Sequence, residues 1–382
     1  MDKLRLGIVG MGVQGSLYAA ITAGALAGVS VPADCALTAV SSRSPETEEK
    51  AAALGAVWFR DWKDMVDSGL CDAIVITVPH YHHHEIAIYA LDRGIHVLCE
   101  KPAGIRSSDV RQMLAARDRN PGTKLAMLLN QRTNPLFAKL REMIASGELG
   151  NLRRSNWIIN SWWRPDSYYA SNAWRGTWQG EGGGVVVNQL PHQLDLWLGL
   201  TGMPEEIYAL NLLGAWRNIA VENDVTVTAR YPGGATGVLV SCTHDPLGTD
   251  RLELDFDKGK ILVENSSKAT VWRFKETEAV WNQTVSHKDM PRMSREPDLL
   301  WEKEEFTSSQ QPWGPYVEIF TNFAAHVLRD EPIIADGEAG LRQVQLANAI
   351  QLSGWKGMPV KVPCDEQEYN AFLQRLIDNE TE

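Results

Sequence analysis

The strand-like apolar run Leu4–Val9 leads straight into Gly10-Met11-Gly12-Val13-Gln14-Gly15 and then into a helix-compatible stretch. No other feature of the chain restricts its fold so tightly. A glycine at the first position permits a tight turn, at the second lets backbone approach a pyrophosphate, and at the third lets helix lie close on strand. The helix that follows offers unpaired N–H groups and the positive end of its dipole to phosphates. The pattern predicts a dinucleotide site contacted by Gly10, Gly12, Val13, Gln14 and Gly15. Its bland counterpart is an ordinary glycine-rich turn.

The first third supports the dinucleotide reading. Leu4–Val9, Leu37–Val40, Ala73–Val78 and His96–Cys99 read as buried strands, with helical patterns such as Glu46–Leu54 and Glu85–Arg93 between them. Alternation of this kind predicts βαβ units and a doubly wound parallel sheet, a Rossmann domain over residues 1–127 with Lys124–Leu129 as its last strand. Beyond the helix Leu136–Ala145, closed by Ser146 and Gly147, the character changes. Val225–Tyr231, Thr236–Cys242, Arg251–Phe256 and Lys260–Val263 follow at hairpin spacing, with Pro232-Gly233-Gly234 and Asp257-Lys258-Gly259 as turns. These predict a second, α+β domain over 128–382 with a large, mostly antiparallel sheet. Later helices are expected over Glu318–Leu328 and over Glu338–Leu352, the second ending near Gly354. The polar, weakly patterned segment Lys275–Gln311 reads as a long loop.

Charge narrows the partners. Lys and Arg number 37 against 48 Asp and Glu, a net charge of −11. A field of that sign repels nucleic acid backbones and anionic membranes, so neither is expected as a partner. The longest apolar stretch, Leu17–Val31, is too short to span a bilayer. Five scattered cysteines without a C-x-x-C pair suit reduced thiols, and no signal peptide is evident, so a cytoplasmic protein is expected.

The residue that would hold an adenosine ribose belongs at the end of the second strand. There the chain reads Ser41-Ser42-Arg43, with no carboxylate, and Asp34 lies at the wrong end. Ser42 and Arg43 suit a 2′-phosphate, which favours NADP over NAD; an arginine that merely stacks on adenine would suit both.

Two further segments carry chemistry. Thr77-Val78-Pro79, with His83 after it, precedes Glu100-Lys101-Pro102; later come Gly182-Gly183-Gly184, Asn188, His192 and Asp195. In this order they resemble the glucose–fructose oxidoreductase / inositol dehydrogenase / MocA family of NAD(P)-dependent oxidoreductases, over nearly the whole chain. The resemblance implies that Lys101 is the active-site lysine, that Lys101–Pro102 is cis, and that His192 transfers the proton. It also implies that Thr77, Pro79, His83, Glu100 and Lys101 line the cofactor, and that Asn130-Gln131-Arg132 crosses between the domains. A homodimer or homotetramer joined through the open face of the second sheet is a further implication. Two departures stand out. The family commonly has Asp at position 188 and Gly at 190, where this chain has Asn188 and Leu190, with Pro191 before the histidine. An amide orients a ring or a hydroxyl but takes no proton, so acid–base work would rest on His192 and Lys101. Pro191 is expected to kink the helix or start a new one.

On one helix Asn188, His192 and Asp195 would share a face. Histidine titrates near neutrality and suits proton removal from a secondary alcohol, while Lys101 would steady the developing oxyanion. Without the resemblance, His192 reads as a satisfied core residue and Asp195 as a surface carboxylate. A Trp-rich window holds Trp157, Trp162-Trp163-Arg164, Tyr168-Tyr169 and Trp174-Arg175-Gly176-Thr177-Trp178. Aromatic faces pack on pyranose C–H faces, so Arg132, Arg164, Trp174 and Arg175, with Lys101, Asn188 and His192, are the expected substrate contacts; about half of the aromatics should instead be core. His80, His82, His83 and His84 invite a zinc reading, but consecutive histidines diverge and no Cys/His set accompanies them, so no metal is expected. The chain therefore reads as an oxidoreductase moving hydride between nicotinamide and a ring CH–OH of a sugar, glycoside or inositol. A redox-neutral glycosidase using bound nicotinamide, and a non-catalytic sensor, are the alternatives.

Overall fold

The computed structural model describes residues 3–290 and 300–381. Its first half runs β1 (Leu4–Val9), α1 (Val13–Thr22), β2 (Cys35–Ser41), α2 (Glu46–Ala53), β3 (Val57–Phe59), α3 (Trp62–Asp67), β4 (Ala73–Ile76), α4 (His83–Leu91), β5 (His96–Cys99), α5 (Ser107–Arg119) and β6 (Leu125–Met127). The strands pair in parallel in the order β3-β2-β1-β4-β5-β6. Both faces are covered, and β4 and β6 accordingly read as unbroken apolar runs with every residue buried. The order reverses between β1 and β4, and the crevice beyond their carboxyl ends is where such a sheet binds ligands.

The second half runs α6 (Pro135–Ala145), β7 (Leu152–Ile159), α7 (Asp166–Ala170), α8 (Pro191–Thr201), β8 (Glu206–Leu213), β9 (Glu222–Arg230), β10 (Thr236–Cys242), β11 (Asp250–Phe256), β12 (Gly259–Glu264), β13 (Lys268–Phe274), α9 (Glu278–Thr284), β14 (Trp301–Thr307), α10 (Gly314–Arg329), α11 (Gly337–Lys356), β15 (Val360–Lys361) and α12 (Glu366–Thr381). Nine strands form one sheet in the order β14-β13-β12-β11-β7-β10-β9-β8-β15, antiparallel except for β10 on β7. Helices α6, α8 and α11 pack on one face, where Phe137, Trp157 and Trp197 are buried to the core. The Trp197 indole donates to Ser155 Oγ at 2.8 Å, so this polar edge is satisfied inside the core.

Three expectations change. Lys275–Gln311 is not all loop: it holds α9 and β14, the latter in register with β13; residues 291–299 of that segment lie outside the described ones. Helix α11 passes Gly354, whose absent side chain makes room for Asn211, and stops at Gly357, which supplies the left-handed φ of 62°. The chain also returns to the first sheet after leaving it. Ile319, Phe320 and Phe323 of α10 bury against Leu4, Leu6 and Ile8 of β1, roughly 1.5–3 kcal/mol for each large side chain. Among the described residues no helix is long and apolar enough to cross a membrane.

Candidate active site

The carboxyl ends of β1, β4 and β5 deliver the three predicted loops to one crevice. Gly10 has φ of 95°, and a Cβ there would lie 2.9 Å from Val78 Cγ1. At Gly15 a Cβ would stand 1.8 Å from the Gly10 carbonyl, so helix and turn touch only because it is glycine. Gly12 opens onto nothing within 4 Å. No side chain caps α1, whose first N–H groups face that opening beside the exposed Val13. Backbone donors, helix dipole and a bare Gly12 together fit a dinucleotide pyrophosphate. The Thr77 hydroxyl lies 2.9 Å from the Val9 carbonyl and 2.7 Å from that of Gly10, pinning the turn from beneath. Ser42 and the exposed Arg43 stand just past β2, at the ribose end.

Lys101 follows β5, and its bond to Pro102 is cis. Its backbone N–H donates to Glu100 Oε2 at 2.8 Å, while Glu100 Oε1 accepts a short hydrogen bond from the Tyr18 hydroxyl. Burial raises the Glu100 pKa against the pull of Lys101. Burial lowers that of Lys101 itself, opposed by Glu100 and Glu181. His83 is buried between backbone carbonyls, with Nδ1 2.9 Å from Pro102 O and Nε2 2.8 Å from Val78 O. His83 thereby ties the Val78 and Pro102 segments together.

The expected single helix through Asn188, His192 and Asp195 is not formed. Val185–Gln189 is a π-helical turn, with the Leu190 N–H bonded to the Val185 carbonyl, and α8 starts at Pro191. Proline has no N–H to continue an α-helical ladder, and the wider turn accommodates the break. Asn188 thus sits on one element and His192 on the next. Asp195 is not a surface carboxylate; it is 4% exposed and grips Arg132 through two bonds of 2.7 Å. The third Arg132 nitrogen donates to the Ile334 carbonyl at 2.8 Å. These bonds make Arg132 a strut between segments and use three of its five N–H donors. Lys101 Nζ, by contrast, donates to the Asn188 carbonyl at 2.9 Å. His192 is pushed down to about 3 by burial and then by the Lys101 charge, and its Nδ1 has no hydrogen-bond partner.

The Trp-rich window divides as expected. Trp157 and Trp178 are core, Trp163 is exposed, and Trp174 stands at the site with its ring 5.7 Å from that of His80. Arg175 lies over Tyr168 and Trp174, and Arg164 over Tyr168. The Tyr168 hydroxyl accepts from Arg175 Nη1 and from Asn188 Nδ2 at 3.2 Å. The residue missed from sequence is Glu181, only 1% exposed. Its Oε2 accepts the Gly176 N–H at 2.7 Å and its Oε1 the Asn188 amide in a short bond. Burial pushes it up to about 7 despite the pull of its hydrogen bonds and of Arg175 and Lys101. The one available signal was a carboxylate directly before the glycine triplet. His80, from the histidine run, is buried with Nδ1 3.2 Å from the Glu181 carbonyl. Among the described residues no group of three His, Cys, Asp or Glu is arranged to hold a metal.

Comparison with known proteins agrees with this fold. Residues 4–126 match the family model described as an oxidoreductase family with an NAD-binding Rossmann fold, and residues 137–262 match the GFO/IDH/MocA C-terminal domain. Inositol 2-dehydrogenase of Salmonella typhimurium is 29% identical over 147 residues, 38% of this chain and 43% of that protein, so the match spans less than half of that relative. Myo-inositol 2-dehydrogenase of Thermotoga maritima is 24% identical over 92% of this chain and 96% of its own. Among solved structures, the WlbA dehydrogenase of Bordetella pertussis, in complex with NADH and UDP-GlcNAcA, superposes with a TM-score of 0.75 at 24% identity, covering 95% of this chain and 100% of that one.

Proposed function

Because the chain belongs to the GFO/IDH/MocA oxidoreductase family, we propose that it oxidises or reduces a ring CH–OH of a sugar, glycoside or inositol. When bound, nicotinamide supplies the hydride acceptor or donor. The observation that carries the reading is the meeting of Lys101 Nζ with the Asn188 carbonyl, which puts the lysine beside His192. His192 is held neutral, so its imidazole accepts the hydroxyl proton as the carbinol is oxidised. Lys101, partly desolvated, donates to the oxygen on which charge develops. Asn188, locked by Glu181 and Tyr168, holds the reacting hydroxyl in place. Glu181 stands behind it as the carboxyl nearest the residue where the family commonly has Asp.

Ser42 and Arg43, with no acid at the end of β2, support NADP as the preferred cofactor. Five free, buried cysteines support a reducing, cytoplasmic setting. The apolar outer face of β8 supports a homodimer or homotetramer.

The test is reduced-nicotinamide absorbance with NADP or NAD against pyranoses, inositols and glycosides, alongside an assay for released aglycone. Sustained cofactor reduction is expected; aglycone release without net reduction would establish a redox-neutral glycosidase instead. His192→Ala should lower turnover by about 100-fold or more while leaving cofactor binding intact. Unimpaired turnover in that variant would remove His192 from the mechanism.

A further inference from the structure

In a chain with a net charge of −11, the candidate site gathers cations. Lys101 sits within the electrostatic reach of both Arg164 and Arg175. The two guanidinium carbons lie 4.8 and 4.3 Å from the centre of the same Tyr168 ring. Each guanidinium uses Nη1 inside the protein, Arg164 on the Trp163 carbonyl at 3.2 Å and Arg175 on the Tyr168 hydroxyl. Their Nε atoms are buried without an acceptor. Among the described residues neither arginine stands at ion-pairing distance from a carboxylate, whereas Arg117 and Arg132 each hold one at 2.7 Å. Glu181 acts on Arg175 from further off, but its oxygens are already taken by Gly176 and Asn188.

Each arginine charge acts against that of Lys101, and a site meant only for hydroxyls gains little from two forks held on one ring. A carboxylate resolves both difficulties. It lowers the mutual repulsion and accepts charge-assisted hydrogen bonds from the Nη2 groups, roughly twice as strong as neutral ones. Resting on the oxidoreductase reading above, we propose that the substrate is acidic: a hexuronate, or another ring-hydroxylated carboxylic acid. Its carboxylate lies between Arg164 and Arg175, and its ring hydroxyls face Lys101, Asn188 and His192.

Calorimetric titration of the full-length protein, loaded with NADPH, tests this at fixed ionic strength. The ligands are D-glucuronate and D-galacturonate, each against its neutral partner D-glucose or D-galactose, with D-glucose 6-phosphate as a second anion. At least one uronate is expected to bind about tenfold or more tighter than its neutral partner. Arg164→Gln and Arg175→Gln should each cut that ratio to under about threefold, with retained NADPH binding as proof of folding. Equal affinity for acid and neutral partners overturns the proposal, as does binding of none of the sugars. So does a preference that survives both substitutions, and so does tighter binding of the phosphate than of either uronate. Turnover is measured on the same samples. An acid preference without any redox turnover sinks the oxidoreductase reading and leaves the acid site standing; turnover of neutral sugars without acid preference does the reverse.

Discussion

At the scale of single residues, cofactor choice hangs on the end of β2. Ser42 is anchored there: its carbonyl accepts the Trp58 indole N–H at 3.1 Å and its hydroxyl accepts the Ser44 N–H at 3.3 Å. Arg43 is exposed beside it, and it is the cation we propose for a 2′-phosphate. Arg43→Ala is therefore expected to raise the KM for NADP by about tenfold, and that for NAD by less than about twofold. Initial rates with each cofactor decide it, and an equal rise in both would reduce Arg43 to an adenine stack. The position of Arg43 was legible because it depends only on where a strand ends. Glu181 was not, because its hydrogen-bond partners Gly176 and Asn188, though near in sequence, do not announce its burial. Only the fold places Lys101 and Arg175 within reach of its charge and removes it from water. The strut role of Arg132 was equally hidden, since nothing near it in sequence announces Asp195 and the Ile334 carbonyl that it holds.

At the scale of elements, the π turn ahead of α8 is held from behind by a second buried carboxyl. Glu222 Oε1 accepts the Gly184 N–H at 2.9 Å and the Val186 N–H at 3.3 Å, while Oε2 has no partner. Burial, and the nearby Glu181 to a lesser extent, push its carboxyl up from 4.5 to about 7. The folded protein then keeps a proton that the unfolded chain releases near pH 4.5. Stability from this group is present below that pH and is lost as pH rises through about 7. Glu222→Gln cannot ionise. Between pH 5 and 8 the wild type is expected to lose about 2–3 kcal/mol more stability than the variant, read from urea titrations at both values. An identical pH dependence in the two proteins would refute the assignment. The sequence announced the break at Pro191 but not the π turn, which depends on Glu222 collecting the glycine-turn N–H groups. Elsewhere, strands with one dry face and alternating side chains were readable, as β10 and β11 show. The edge strand β14, Trp-Glu-Lys-Glu-Glu-Phe-Thr, was not, because charges suited to a sheet edge hide the alternation.

At the scale of the whole molecule, the two sheets were legible and the return of α10 to β1 was not, since partners some three hundred residues apart leave no local pattern. The second sheet poses a different question, because its helices cover one face only. Across the other face one cross-strand row joins Leu210 of β8, Thr226 of β9, Val240 of β10 and Ile158 of β7. Leu210 is 58% exposed, and Tyr208 and Leu212 flank it on the same side of its strand. We propose this face, with its exposed Tyr208, Leu210 and Leu212, as the surface through which copies associate. A two-fold contact through it would bring the same residues from both copies together, so one substitution acts twice. Leu210→Asp would bury a carboxylate in each half of such a contact, at about 3–5 kcal/mol for an uncompensated charge. Sedimentation velocity should find the wild type well above its 42.5 kDa chain mass. It should find the variant weakened in association by about 100-fold or more, with the single chain dominant at micromolar concentration. Because Leu210 points away from the core, the variant should keep its cofactor binding. A wild type that sediments as a single chain would leave this face to water and remove the sheet from any account of assembly.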